Sequence, residues 1–291
     1  MRKILFPLLI LLGAAQAYGA SSEGTVALLS MESGAYMEAF SAFQAAYGGE
    51  VRHYDLSAKS PRLGGETRIL VTFGGKAADY PHPEGISVVY AMAPGIFEEK
   101  QAPDPMTVKI SLTPDFPVMF AKLKEIQPGL TRLGILWGIT ESNPLTQLIK
   151  DEGARQGIKI VFYHLKGPDS LPAALRRALG EADALWLAPD PLIVTPQNLR
   201  ILREFSWDNG MPFYGSTRSM TREGAVASAG TSFEEMGKTA AKAALAFQKG
   251  APLPETLYPE KVEITLNATA AAKVGITFPA AVLKEAGYLF P

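Results

Sequence analysis

From Thr25 onward, short apolar runs alternate with longer stretches whose apolar residues recur every three or four positions. "TVALLS" (Thr25 to Ser30) has the length and apolarity of a buried strand. "AYMEAFSAFQAAY" after it predicts a helix with Ala35, Ala39, Ala42, Phe43 and Ala46 on one face. "EVRHYDL", "RILVTFGG", "ISVVYAMAP" and "TVKISL" continue as strands, which implies about five strands before residue 114. Helical or loop crossovers separate them, so the sheet is expected to be largely parallel.

The alternation then restarts. "PDFPVMFAKLKEIQPG" predicts an amphipathic helix, "RLGILW" a strand, and "GITESNP" a polar loop. The series continues with the helix "LTQLIKDEGARQG", the strand "IKIVFYHL", the helix "SLPAALRRALGEA" and the strand "ALWLA". After these come the helix "PQNLRILREFSWDNG" and the strands "MPFYGS" and "GAVASAG". A long helix, "SFEEMGKTAAKAALAFQKG", is stopped at Gly250. "YPEKVEITLN" reads as an extended strand with Val262, Ile264 and Leu266 on one face, followed by short helices near 268–274 and 279–286.

The expected fold is therefore α/β: two doubly wound parallel-sheet lobes with a hinge and a cleft between them. The lobes would comprise residues 24–113 plus about 231–257, and 114–230 plus about 258–291. Ligands of such sheets bind beyond the carboxyl ends of the strands. That directs attention to seven loops: Met31 to Gly34, Phe73 to Lys76, Met92 to Gly95, Gly138 to Asn143, Pro189 to Leu192, Ser216 to Ser219 and Gly230 to Ser232.

The first twenty residues stand apart from this pattern. Met1-Arg2-Lys3, an apolar run from Ile4 to Gly13 and the small-x-small triplet Ala15-Gln16-Ala17 have the form of a secretory signal peptide. The apolar run is shorter than the ~20 residues that span a bilayer. Export without a single cysteine means that core burial, not disulfides, must stabilise the chain. A formal net charge of −1, with scattered lysines and arginines, gives no concentrated basic face, so nucleic acid is not an expected partner.

Several segments, in order, resemble a known family: "ILVTFGGKAA", "ISVVYAMAP", "LKEIQPGLTRLGILW", "ADALWLAPDPLIV", "MPFYGS", "GAVASAGTSFEEMGKTAAKAALAFQKG" and "LNATAAAKVGITFPAAVLKEA". They resemble the ABC-transporter substrate-binding proteins of the tryptophan/tyrosine-associated family, with the type I periplasmic binding protein fold. The chain departs from the family pattern in "SMESGAY" after the first strand and in "WGITESNP". The resemblance implies a periplasmic receptor; a monomer is the default for a protein that must open and close, and no cofactor or metal is expected. It would close by hinge motion on a small-molecule ligand, amino-acid-like or a small organic acid, and deliver it to an ABC permease in the inner membrane. It also implies that the helix after Thr231 packs back on the first lobe. A sensor serving a membrane receptor and a non-binding scaffold are the competing readings of the same fold.

The resemblance places Asp190 at the cleft, where a carboxylate suits a ligand amino group. An Asp-Pro turn that merely ends the strand accounts for the same residue. Thr140, Ser142 and Asn143 precede a helix opening at Pro144, and amides there would receive a ligand carboxylate; plain capping explains them equally. Ser33 and Gly34, beside Glu32, offer a similar nest. Gly74 and Gly75 permit close backbone approach or a turn with positive φ. Arg218 is a candidate carboxylate clamp or an exposed surface cation. Tyr90 and Met92, or Trp137, would wall a ring or aliphatic chain, unless they are core residues. Glu98-Glu99 and Glu234-Glu235 read as solvated. Neither a nucleophile elbow nor a phosphate-binding loop occurs, and the three histidines lack metal-ligand spacing, so catalysis is not expected.

Overall fold

The computed structural model describes residues 24–93 and 106–291. The proposed signal peptide, the Pro94-Gly95 end of one inspected loop and the Glu98-Glu99 pair lie outside the described residues. The first half of the chain forms β1 (Thr25–Leu29), α1 (Gly34–Tyr47), β2 (Arg52–Asp55), β3 (Ile69–Phe73), α2 (Gly75–Ala78), β4 (Ser87–Ala91) and β5 (Thr107–Ile110). Then follow α3 (Phe116–Ile126), β6 (Arg132–Trp137), α4 (Pro144–Arg155), β7 (Lys159–His164), α5 (Leu171–Ala178) and β8 (Ala184–Leu187). The rest is α6 (Pro196–Asn209), β9 (Phe213–Gly215), α7 (Arg218–Arg222), β10 (Ala227–Gly230), α8 (Phe233–Gln248), β11 (Thr256–Leu257), β12 (Glu263–Asn267), α9 (Ala268–Lys273), α10 (Ala280–Glu285) and β13 (Tyr288–Phe290).

These strands form two sheets, of order β11-β5-β4-β3-β1-β2 and β13-β12-β10-β9-β8-β6-β7. The first is parallel throughout. In the second, the antiparallel pair is β10 with β12. Both faces of each sheet are covered, and the side-chain period of two shows it directly. Ala27, Leu29, Val71, Phe73 and Val89 join one core with α1 and α8, while Val26, Leu28, Leu70, Val88 and Tyr90 join another with α2. Likewise Leu133, Ile135 and Trp186 face α3, whereas Leu136, Leu185 and Leu187 face α5 and α6.

The chain passes between the sheets three times. It leaves β5 for α3, leaves β10 for α8, and leaves β11 for β12. The first and third passages run side by side: the Ser111 amide donates to the Leu257 carbonyl at 2.9 Å, and Lys109 to Glu255 at 2.9 Å.

Several sequence expectations need correction. Helix α1 buries Ala39, Phe40, Phe43 and Tyr47, leaving Ala46 exposed, because the large rings capture the core face that an alanine stripe seemed to mark. Gly75 and Arg218 were expected in loops and instead open the short helices α2 and α7. The two-residue β11 and the terminal β13 were not foreseen, being too short for a period-two signal. Tyr90 is a core residue at 2 % exposure.

Helix α8 reaches the first sheet through Gly237, where an added Cβ would sit 2.0 Å from the Ala39 carbonyl oxygen of α1. Ala240, Ala241, Ala243 and Ala244 of the same helix are small and fully buried, beside the buried Met236. In the second lobe the Asp183 carboxylate, at the amino end of β8, gathers five donors. Oδ2 accepts from the Thr131 amide (3.0 Å), the Thr131 hydroxyl (2.7 Å) and the Arg132 amide (2.7 Å). Oδ1 accepts from Arg132 Nε (2.9 Å) and Nη2 (2.8 Å). Burial pushes this carboxyl up, but the Thr131 and Arg132 hydrogen bonds outweigh burial and hold its pKa below the ordinary carboxylate range.

Two stability predictions follow from these contacts. Gly237→Ala should destabilise the protein in urea unfolding by about 2 kcal/mol or more, since the collision is with backbone and exceeds the ~0.5–1 kcal/mol that alanine gains in a helix. Asp183→Asn should cost about 2 kcal/mol at neutral pH. Because the folded-state pKa is depressed, that contribution is present above the unfolded pKa of about 3.9 and is lost as pH falls through the folded value. The gap between wild type and variant should therefore close below about pH 4.

Candidate functional site

Parallel β6, β7 and β8 end side by side, so their carboxyl-terminal loops form one wall: 138–143 after Trp137, 165–167 after His164, and 188–195 after Leu187. The facing residues belong to the first passage, Lys109 to Thr113, and to Glu255, Thr256 and Tyr258 around β11. Between them lies a cleft of about 1020 Å³.

Asp190 fixes the shape of the second-lobe wall. Its Oδ2 accepts the Gly138 amide at 3.1 Å and its Oδ1 the Leu192 amide at 2.9 Å. Its own carbonyl accepts the amides of Ile193 (3.0 Å) and Val194 (2.8 Å). A Cβ at position 138 would stand 2.5 Å from Asp190 Oδ2, so glycine is what lets the β8 loop reach the β6 loop. The carboxylate questioned in the sequence thus clips two loops together while lining the cleft.

The neighbouring polar cluster is divided. Asn143 lines the cleft and caps α4, its Oδ1 accepting the Leu145 amide at 2.9 Å. Thr140 and Ser142 share a hydroxyl hydrogen bond of 3.0 Å on the same loop and do not line the cleft. His164 donates from Nδ1 to the Ile139 carbonyl at 3.0 Å, tying the β7 end to the β6 loop. Trp137 lines the cleft and meets the buried Trp186 edge to face, with centroids 6.0 Å apart.

The remaining sequence candidates are not brought to this cleft. Ser33 is exposed at the start of α1 and makes no side-chain cap hydrogen bond, and Gly34 beside it is open to solvent. Gly74 is buried at φ 102°, where a Cβ would lie 2.4 Å from Ser30 Oγ, so the turn and its packing demand glycine there. Gly75 is exposed at the start of α2. Met92 is buried in the first-lobe core at φ 57°, a left-handed conformation rare for such a side chain. Arg218 pairs with Glu263 and stacks over Tyr288 at 5.9 Å; the Glu263 hydrogen bond raises its pKa.

Residues not named as candidates in the sequence also line it, among them Lys109, Ser111, Leu148, Lys166, Leu192, Glu255 and Tyr258. Leu192, Leu148 and Tyr258 are 72 %, 54 % and 38 % exposed, so apolar surface faces the cleft from both walls. Burial, then Asp115, raises the Tyr258 pKa and keeps it a protonated phenol able to donate. Among the described residues no group of three or more His, Cys, Asp or Glu is placed to hold a metal ion.

The profile of a family described as ABC transporter substrate binding protein matches residues 119–289, more than half of the chain. No curated protein matches by sequence. Among solved structures, a conserved domain protein from Vibrio cholerae is 17 % identical with a TM-score of 0.63, covering 91 % of this chain and 98 % of that one. The ABC domain from Streptococcus pneumoniae in complex with L-Trp is 16 % identical with a TM-score of 0.62, covering 91 % and 99 %. A ligand-free, open substrate-binding protein with adhesive properties from Clostridium difficile is 14 % identical with a TM-score of 0.65, covering 92 % and 99 %. The shared fold is the type I periplasmic binding protein fold, with its two parallel-dominated lobes.

The Asp190 clip makes a quantitative prediction. Gly138→Ala should destabilise by about 1–3 kcal/mol. In an Asp190→Ala background the same substitution should cost less, with a coupling of about 1 kcal/mol in a double-mutant cycle read by urea unfolding. Strict additivity would mean that the clip does not exist.

Proposed function

This chain belongs to the ABC transporter substrate-binding protein family, and from that premise we propose that it is the exported solute receptor of an ABC importer. The observation that carries the reading is the cleft between two separately cored lobes joined by three passages of chain. The proposed lobes are residues 24–113 with 231–257, and 114–230 with 258–291. A solute touching both walls would favour the closed arrangement, and the closed surface would be what an inner-membrane permease recognises. The paired first and third passages supply a two-stranded hinge, and Thr231-Ser232 forms the separate third connection.

The signal-peptide pattern of residues 1–20 supports delivery to the periplasm, and among the described residues no helix is long and apolar enough to cross a membrane. A monomer suits a molecule that must open and close. The L-Trp held by the Streptococcus pneumoniae domain favours a solute of amino-acid size, amino-acid-like or a small organic acid.

The test is thermal unfolding of the purified protein against amino acids, small organic acids, sugars and nucleobases, followed by small-angle scattering with any hit. A ligand that binds only the folded state at a hundredfold excess over its Kd adds about 2.7 kcal/mol of stability. The expected result is a raised midpoint together with a smaller radius of gyration. A panel without any midpoint shift would overturn the receptor reading.

A further inference from the structure

Resting on the receptor reading, the cleft chemistry narrows the solute. We propose that the ligand is a small carboxylic acid with an apolar body, held by Lys166 and the Asn143 amide, and that no ligand ammonium is required.

The argument begins with the groups already committed elsewhere. Each Asp190 oxygen accepts one backbone amide, from Gly138 and from Leu192, and keeps further acceptor capacity. Its charge is partly compensated by these charge-assisted hydrogen bonds, so it draws an incoming ammonium less than an unbonded carboxylate would. Asn143 spends its Oδ1 on the Leu145 amide, which leaves its Nδ2, a pure donor, without a partner among the described residues. Of the two lysines lining the cleft, Lys109 has a partner of its own. Lys166 has none among the described residues and is exposed on the β7 loop. His164 gives its Nδ1 proton to the Ile139 carbonyl, so that nitrogen is committed to holding the wall.

The second-lobe wall therefore has a free cation and a free amide donor, while its one carboxylate is engaged. Glu255, the other carboxylate lining the cleft, stands on the first-sheet edge together with Lys109, so that wall carries no excess of negative charge. Around the donors lie Leu148, Leu192 and Tyr258, apolar surface that is exposed for as long as the cleft is unfilled. Covering it requires an apolar body on the ligand. A carboxylate joined to a branched aliphatic or aromatic group satisfies both halves of the wall.

The experiment is isothermal titration of the purified protein with phenylacetate and 4-methylpentanoate, compared with their amides, with phenethylamine, and with phenylalanine and leucine. The acids should bind, with the amides and amine at least about tenfold weaker, the size expected for one charge-assisted contact. Lys166→Ala should weaken the acids by a similar factor, and Lys166→Arg should retain most of the affinity. Tighter binding of the amine or the amino acids than of the acids, or an unaffected Lys166→Ala, would each overturn the acid class. If a sugar or nucleobase binds while every acid fails, the acid class falls and the receptor reading stands. If no solute of any class binds, both fall.

Discussion

A parallel strand pair cannot be closed by a tight turn; each strand must be followed by a crossover that returns the chain to the same end of the sheet. That obligation places every carboxyl-terminal loop of a lobe along one edge, and all the chemistry of this molecule is a consequence of where those edges lie. The loops after β6, β7 and β8 make one wall because their strands are neighbours in the sheet, although they are widely separated in the chain. The exception, antiparallel β12, lies on the far side of β10 and takes no part in the cleft.

Within that wall, rigidity and recognition are divided between residues that look alike in a list of polar groups. Asp190 holds the β6 and β8 loops at a fixed separation, and His164 ties the β7 end to the same β6 loop. The wall is thereby pre-shaped, which reduces the ordering that a ligand must impose. The facing wall is built differently. It consists of a strand of two residues and a connecting segment, held by main-chain bonds such as Ser111 to Leu257. One side of the cleft is fixed by side-chain clips, and the other belongs to the β5–β11 edge of the first sheet and the segments that join the lobes.

The sequence made the alternation of strands and helices legible because buried parallel strands are apolar on both faces and their helices on one. It made Asp190 and Asn143 legible because polar residues at strand ends and helix starts are few. It could not place Leu148 or Leu192, since an exposed leucine is written with the same letter as a buried one and only the fold separates them. Arg218 misled for the opposite reason. An arginine on a strand-end loop suits a ligand, and its neutralising partner, Glu263, lies on a strand that reaches it only through the antiparallel turn of the chain. Met92 was read as a wall or core residue, and nothing in its letter marks the left-handed backbone it adopts in the core.

The tight seat of Gly237 against Ala39 has a bearing on the order of events as the chain is made. The core that begins with Ala27 and Leu29 includes Met236, Ala240 and Ala244, so it lacks one of its two covering helices until residues beyond 233 are available. The other lobe likewise waits for Leu266 and Val282. A nascent chain of two hundred residues therefore holds every residue of the core on the α2 face of the first sheet, but lacks part of the core under α1 and α8 and part of the core under α3. Those two cores can close only when nearly all of the chain is available.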